Sequence, residues 1–458
     1  MAPSVESQPD SPPAAPAKER GPYRAAFERL EQLAPGPAWV RSARRSSFNR
    51  FQELGFPTVR DEDWRFTNVA PIASLPFRPV LEATTDGLTA ASLEPFAFGG
   101  LKGSRLVFVN GHFAAALSSL RPQAEGVRIG SLREALAREP ERLAPHLFQC
   151  ADEEDNPFTS LNTAFFQDGA FIWVPADTLV ADPVHLLFVT TGVEDGTTAH
   201  PRNLIVAEPG SQLTVLESYV SLTDAAGLTN ALTELRVGDR ARLEHLKFQD
   251  ENRHSFHVAH LAARFGCASD VISHSLALGA RLSRTGIQAH LAGPDLECVL
   301  NGLYLTRGDQ LADHHMVVEH AQPHCASHEY FNGILDDQSK GVFHGRILVQ
   351  PAAQKTDAKQ TNKNLLLSDE ATVNTKPQLE IYADDVRCTH GATVGQMDDD
   401  AIFYLRTRGI GVETARRMLM HAFAGEIIDR VRCTAVREEL DRRIWDRLEQ
   451  QPHLAAAK

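Results

Sequence analysis

Between about residues 100 and 395 the chain alternates short apolar runs with turn residues. Leu106 to Val109, Phe171 to Val174 and His185 to Thr190 are examples, each bounded by Gly, Pro, Asp or Asn. Runs of this length and punctuation predict β-strands. Long amphipathic helical patterns are sparse here, apart from a helix expected near Leu132 to Arg142. The flanks read differently. AAFERLEQL, from Ala25 to Leu33, has apolar positions at helical spacing with charges between them, so about 21 to 70 is expected to be helical. Trp64 and Phe66 are expected to anchor the end of this region against the core, and about 70 to 100 reads as a connection. After 397, Asp398 or Asp399 can cap a helix through Arg408, with Gly409 as its stop. A second helix is expected from near Val412 past Val431, with Leu419, Ala422, Phe423, Ile427 and Val431 on its apolar side. A charged third helix, REELDRRIWDRLEQQ, follows.

A longer rhythm runs through the β region. Gly210, Gly238, Gly266 and Gly293 are spaced by 28, 28 and 27 residues, and five places after them stand Val215, Leu243, Val271 and Cys298. Gly279 and Gly308 fall near the half-period. A turn glycine followed by an inward apolar residue at fixed length suits stacked solenoid rungs, and two strands per rung suit a β-helix. The expected fold is therefore mainly β: a disordered tail over 1–20, an N-terminal helical region over 21–100, a β-helix core over 101–396 and a C-terminal helical region over 397–458.

Composition narrows the function. The 458 residues are 43% hydrophobic and 23% charged, ordinary for a soluble globular protein. A formal net charge of -13 argues against a nucleic-acid partner held by bulk electrostatics. No apolar run approaches the roughly 20 residues that span a bilayer, so no membrane partner is expected. The 6 cysteines include no CxxC pair and make no disulfide framework. The Pro-rich, acidic opening MAPSVESQPDSPPAAPAKER fits neither a secretory nor a transit peptide. A cytoplasmic protein with reduced thiols is the expectation.

The densest polar chemistry lies in LEIYADDVRCTHGATVG, Leu379 to Gly395. On a strand, Cys388 and His390 project to one face and Thr389 to the other. Thiolate and imidazole are plausible ligands for iron or zinc. Two donors do not complete a site, so distant residues or another subunit would have to. The alternative is a buried cysteine beside a hydrogen-bonded histidine. In HAQPHCASHEY, His320, His324, Cys325 and His328 have helix-like spacing that Pro323 breaks. A structural turn is the simpler reading there, with Asp313, His314 and His315 nearby, and the pair His254 and His257 says less. There is no GxxxxGK[ST], GxSxG or HExxH, and Gly409-Ile-Gly411 follows a helix where a dinucleotide fold needs a strand. Asp384 and Asp385 keep open a β-helical carbohydrate-active enzyme, although adjacent strand residues face opposite ways.

VFHGRILVQPAAQKTDAKQTNKNLLLSDEATVNTKPQLEIYADDVRCTHGATVGQMDDDAIFYLRTRGI, Val342 to Ile410, resembles the C-terminal signature of the SUF-system SufB/SufD family of iron–sulfur cluster assembly proteins. HAQPHCASHEYFNGILDD and DEDWRFTNV fit the same family, so the resemblance covers nearly the whole chain beyond the tail. A SufB-like chain has a His-Glu-Ala element where Cys388-Thr389-His390-Gly391-Ala392 stand. It also has a cysteine about where Asn364 to Leu367 lie, and here none occurs between Cys325 and Cys388. Both departures side with the SufD-type branch; Arg387, where lysine is common, is a mild change.

The resemblance implies a right-handed parallel β-helix flanked by helices, acting as a non-catalytic scaffold. It implies a complex with a SufB-type paralogue and a SufC-type ABC ATPase, and a sulfur-donor protein reached indirectly. A transient iron–sulfur cluster would sit at the SufB–SufD junction. His390 matches the SufD histidine assigned to that junction, opposite a SufB cysteine, and Cys388 is a second candidate donor. The helices after Asp398 match the region that docks the ATPase, with Phe403, Leu419 and Phe423 as candidate contacts or, equally, local core. A SufB-like paralogue, or a homodimer binding iron or flavin, stays open; no residue of the sequence supports flavin.

Overall fold

The computed structural model describes residues 21–33, 36–82, 84–85, 87–151, 156–192 and 194–449. The expected tail over 1–20 lies outside the described residues. The strands that matter for function are β1 (Arg105–Val109), β2 (Ala170–Val174), β3 (Val184–Thr190), β4 (Arg202–Ala207), β5 (Gln212–Ser221) and β6 (Gly227–Val237). They continue as β7 (Arg242–Asp250), β8 (Phe256–Phe265), β9 (Asp270–Ala277), β10 (Leu282–Leu291), β11 (Glu297–Thr306) and β12 (Leu311–His320). The last are β13 (Ala326–Leu335), β14 (Lys340–Val349), β15 (Asp357–Leu366), β16 (Thr372–Ile381) and β17 (Arg387–Gly395).

Successive strands alternate between two sheets. From β2 to β16 the even-numbered strands stack in one sheet, and from β1 to β17 the odd-numbered strands stack in the other. Within the coil each strand pairs in parallel with the strand two places on, so the chain winds as a parallel β-solenoid. The expected mainly β, solenoidal fold is what forms. Its interior is one continuous apolar cluster from Leu106 to Phe343, including Val215, Leu243, Val271 and Cys298.

The glycine rhythm holds with one correction. Leu243 lies opposite Val271, and Val271 opposite Cys298. Val215, however, meets His245, because Leu213 is the partner of Leu243. The rung between β5 and β7 is two residues longer than the glycine spacing suggests. Gly210 accordingly takes the left-handed turn position, with φ +72, that Arg240 and Ala268 fill on the next rungs with φ 56 and 52.

Both outer faces of the middle rungs are covered. Helices α1 (Gly21–Leu33), α2 (Ala38–Leu54) and α3 (Pro157–Phe165) form an N-terminal unit with a core of Phe27, Leu30, Phe48, Phe51 and Phe165. Trp64, Val69, Ile72 and Phe158 pack on Leu228, Val258 and Leu282 of β6, β8 and β10. Trp64 is the anchor expected from the sequence, whereas Phe66 is exposed at 42%. All nine residues of α3 are buried, and the Asn156 side chain caps it by accepting from the Phe158 and Thr159 amides. The helix expected near Leu132 to Arg142 is broken into Leu132–Arg138 and Pro140–Leu143 by the proline.

A buried ion pair ties these layers together. Arg202 on β4 donates to Glu234 on β6 at 3.0 and 2.7 Å, and to Thr163 of α3 at 2.7 Å. Glu234 also accepts from the amides of Phe148, Gln149 and Cys150.

At the C-terminus, α4 (Asp399–Thr407) is capped by Asp398 and followed by Gly409 at φ +84, as expected. Helices α5 (Val412–Ile428) and α6 (Thr434–Glu449) cover the odd-numbered sheet. Met420, Ala424, Ile427, Ile428, Leu440 and Ile444 pack there on Leu216, Leu246, Leu276, Leu303 and Ile334. The helix α5 ends before Val431, and its buried side is rotated from the expected stripe: Ala422 is exposed, while Leu419 and Phe423 are half-buried.

Candidate functional site

The coil ends in two strands with free edges. Among the described residues, β16 pairs only with β14 and β17 only with β15. An open strand edge is a template for another chain. Ile381, Tyr382 and Val394 are exposed at this end at 39, 62 and 50%.

Cys388 and His390 lie on β17, and the strand period of two puts both on one face, as the sequence predicts; register shows that face to be the lumen side. Cys388 stands over Ala358, Ser327 and Cys298 in successive rungs. It is half-buried and packs beside Ala358 and Val349. Burial is the main cause that raises its thiol pKa, so the group is protonated at neutral pH until a cation displaces the proton. His390 stands over Gln360, Glu329 and Leu300. Gln360 and Glu329 are buried, but His390 is exposed because no further rung covers it.

The lumen becomes polar as it approaches this end. Gln360 Nε2 donates to Glu329, whose carboxyl pKa burial pushes up to about 8. Beside them, Tyr304 hydrogen-bonds Asn364, and Asn364 donates to Asn362 at 2.7 Å. Asn362 lies under Ala392 and Asn364 under Val394. Amides and a neutral acid thus floor the imidazole and thiol without supplying a fixed charge. Sequence reading missed Glu329, Gln360, Asn362 and Asn364; their steps of 31 and 30 residues to one another and to β17 are the signal they carry.

The other candidates separate. His320 hydrogen-bonds Ser327 at 2.9 Å, Cys325 is buried against the Gly293 carbonyl at 3.2 Å, and His324 occupies a turn at φ 59. His257 is buried against Glu251 at 2.7 Å, whereas His254 is exposed. Asp385 pairs with Lys355, and Asp384 lies with it in the turn before β17, so the two acids are not neighbours on a strand. Among the helix residues, Phe403 is exposed at 67% beside Tyr404 at 58%, while Leu419 and Phe423 are half-buried, Phe423 against the α5–α6 core.

Comparison with known proteins agrees with this architecture. Residues 188–423 match the family model described as SUF system FeS cluster assembly, SufBD core domain, and residues 23–186 match the SufBD protein N-terminal region. The chain is 36% identical over 386 residues to an iron–sulfur cluster assembly SufBD family protein of Synechocystis, covering 82% of this chain and 84% of that one. It is 34% identical over 397 residues to the iron–sulfur cluster assembly protein SufD of Escherichia coli, covering 86% and 90%. It is 25% identical over 422 residues to SufD of Bacillus subtilis, covering 88% and 93%. With a β-solenoid whose core and N-terminal unit both match, the chain belongs to the SufBD family of SUF-system iron–sulfur cluster assembly proteins.

Proposed function

We propose that this chain is a non-catalytic, SufD-type scaffold subunit that works in the cytoplasm with a SufB-type paralogue and a SufC-type ATPase. The observation that carries the reading is the exposed imidazole of His390 on the last rung, beside open strand edges. A second β-solenoid would dock end to end on β16 and β17, covering Ile381, Tyr382 and Val394. His390 would then give one donor to a nascent iron–sulfur cluster, with thiolate from the paralogue supplying others and Cys388 a further candidate. The cluster is cargo rather than a resident cofactor. Neutral imidazole holds iron less firmly than thiolate, which suits release. Sulfur would arrive through a donor protein acting on the complex.

The ATPase is assigned to the C-terminal helices, where Phe403 and Tyr404 leave aromatic area in water and Leu419 and Phe423 sit at its margin. Nucleotide-driven movement of that subunit would shift the two solenoids relative to each other and open or close their junction. Co-expression of the untagged chain with a tagged SufC-type ATPase and a SufB-type paralogue tests the assembly. Co-elution of all three through size exclusion is expected; elution of this chain alone would refute it.

A further inference from the structure

A different set of donors converges on the outer face of the even-numbered sheet, remote in sequence from His390. His315 on β12 and His344 on β14 are register partners, one rung apart. Their rings meet edge to face at a centroid distance of 4.2 Å, with the two Nδ1 atoms 3.2 Å apart. Asp63, on the single turn Glu62–Trp64 of the N-terminal unit, brings Oδ1 to 3.6 Å from His315 Nε2. One donor atom from each residue lies within 4.8 Å of the other two.

Three nearby cations already have carboxylates of their own. Arg284 pairs with Asp313, Lys376 with Glu62 at 2.7 Å and Arg346 with Glu380 at 3.6 Å. Asp63 is thus left facing His315. On the other side, His344 Nε2 lies 2.6 Å from Gln378 Oε1, an atom that only accepts. His344 Nε2 is thus placed to donate to Gln378, which turns its Nδ1 toward His315. A carboxamide holding the far nitrogen of an imidazole is the arrangement that orients a metal-binding histidine.

His315 Nδ1 meets His344 Nδ1 at 3.2 Å, while its Nε2 faces the Asp63 carboxylate at 3.6 Å with no hydrogen bond between them. With its proton on Nδ1 it donates to His344 and turns a lone pair toward the Asp63 carboxylate. With its proton on Nε2 it faces Asp63 at 3.6 Å, beyond hydrogen-bond reach, and sets two Nδ1 lone pairs against each other. A cation shared by the three residues would bridge that gap between carboxylate and imidazole.

We propose that Asp63, His315 and His344 bind a divalent first-row transition ion, with water in the remaining positions. Two imidazoles and one carboxylate suit iron(II) or zinc(II). Donors on such an ion lie roughly 3 to 3.5 Å apart, so the set must contract slightly. That movement falls to Asp63, whose side chain is 65% exposed and sits on a turn rather than in the ladder. The ion would clamp the N-terminal unit to β12 and β14, and it is independent of the cluster assigned to His390.

The test uses the untagged full chain, stripped with chelator, in a Cys388→Ser/His390→Ala background that removes the other candidate donors. Calorimetric titration with zinc(II) is expected to show one ion per chain and a raised unfolding temperature. Asp63→Asn should weaken that binding by about tenfold, and His344→Gln by about a hundredfold. The proposal is overturned if the background variant binds no zinc(II), or if Asp63→Asn and His344→Gln bind it unchanged. Asp63 is exposed enough that its variant folds, so the outcome is decided even if His344→Gln does not.

Discussion

His390 lies directly opposite Gln360 in the ladder between β17 and β15, and Gln360 donates to Glu329 one rung further in. The exposed imidazole thus caps a column whose buried members are an amide and an acid held neutral. This column sets the chemistry of the open end: it can accept a metal-linked charge there without a competing ion pair beneath.

Glu329 should make stability fall with rising pH. Its ordinary pKa of 4.5 is raised to about 8 in the folded chain, with burial the cause. The folded state therefore holds a proton that the unfolded state has lost. Its contribution is complete below pH 4.5 and disappears as pH rises toward 8, with a slope of at most about 1.4 kcal/mol per pH unit. Glu329→Gln should flatten that dependence, as urea unfolding at pH 5 and pH 8 would reveal; an unchanged slope would locate the dependence elsewhere.

Arg202→Ala should cost about 3–5 kcal/mol, because it strands Glu234 in a fully buried position. Replacing both residues with apolar ones of similar size should cost less than the two single changes together. Denaturant unfolding of the three variants gives the coupling directly.

Gly302→Ala should destabilise by about 1–3 kcal/mol through overpacking. A Cβ there would stand 2.1 Å from Phe331, whose ring fills the lumen beside Phe343. Thermal unfolding checks it, and a second change of Phe331→Leu should recover part of the loss.

Val394→Lys should leave the unfolding temperature of the isolated chain within about a degree, since the residue is half-exposed on the final strand. It should nevertheless weaken association with the SufB-type partner by tenfold or more, about 1.4 kcal/mol. Analytical ultracentrifugation of the mixture distinguishes the two effects.

Much of the solenoid was readable because strand patterning is local. Apolar runs between turn residues mark the β region, and the period of two puts Cys388 and His390 on one face. The cap at Asp398 and stop at Gly409 were equally local. What escaped depends on partners distant in sequence. Helix α3 is buried on every side, so no polar face reveals its period. The buried side of α5 differs from the expected stripe because Met420 and Ala424, not Ala422, pack on the odd-numbered sheet. Glu329 and His344 acquire meaning only through register, and rungs of 27 to 31 residues in the odd-numbered sheet defeat a fixed spacing. The family resemblance, carried by contiguous motifs, makes His390 a candidate without any register, but says nothing of Asp63, His315 and His344.

The most direct test of the account is His390→Ala in the reconstituted complex with SufB-type and SufC-type subunits. Cluster formation would be followed by visible absorption, with complex mass measured in the same samples. The account predicts an intact complex whose cluster yield falls by about tenfold or more. An intact complex that assembles clusters at the full level would contradict it.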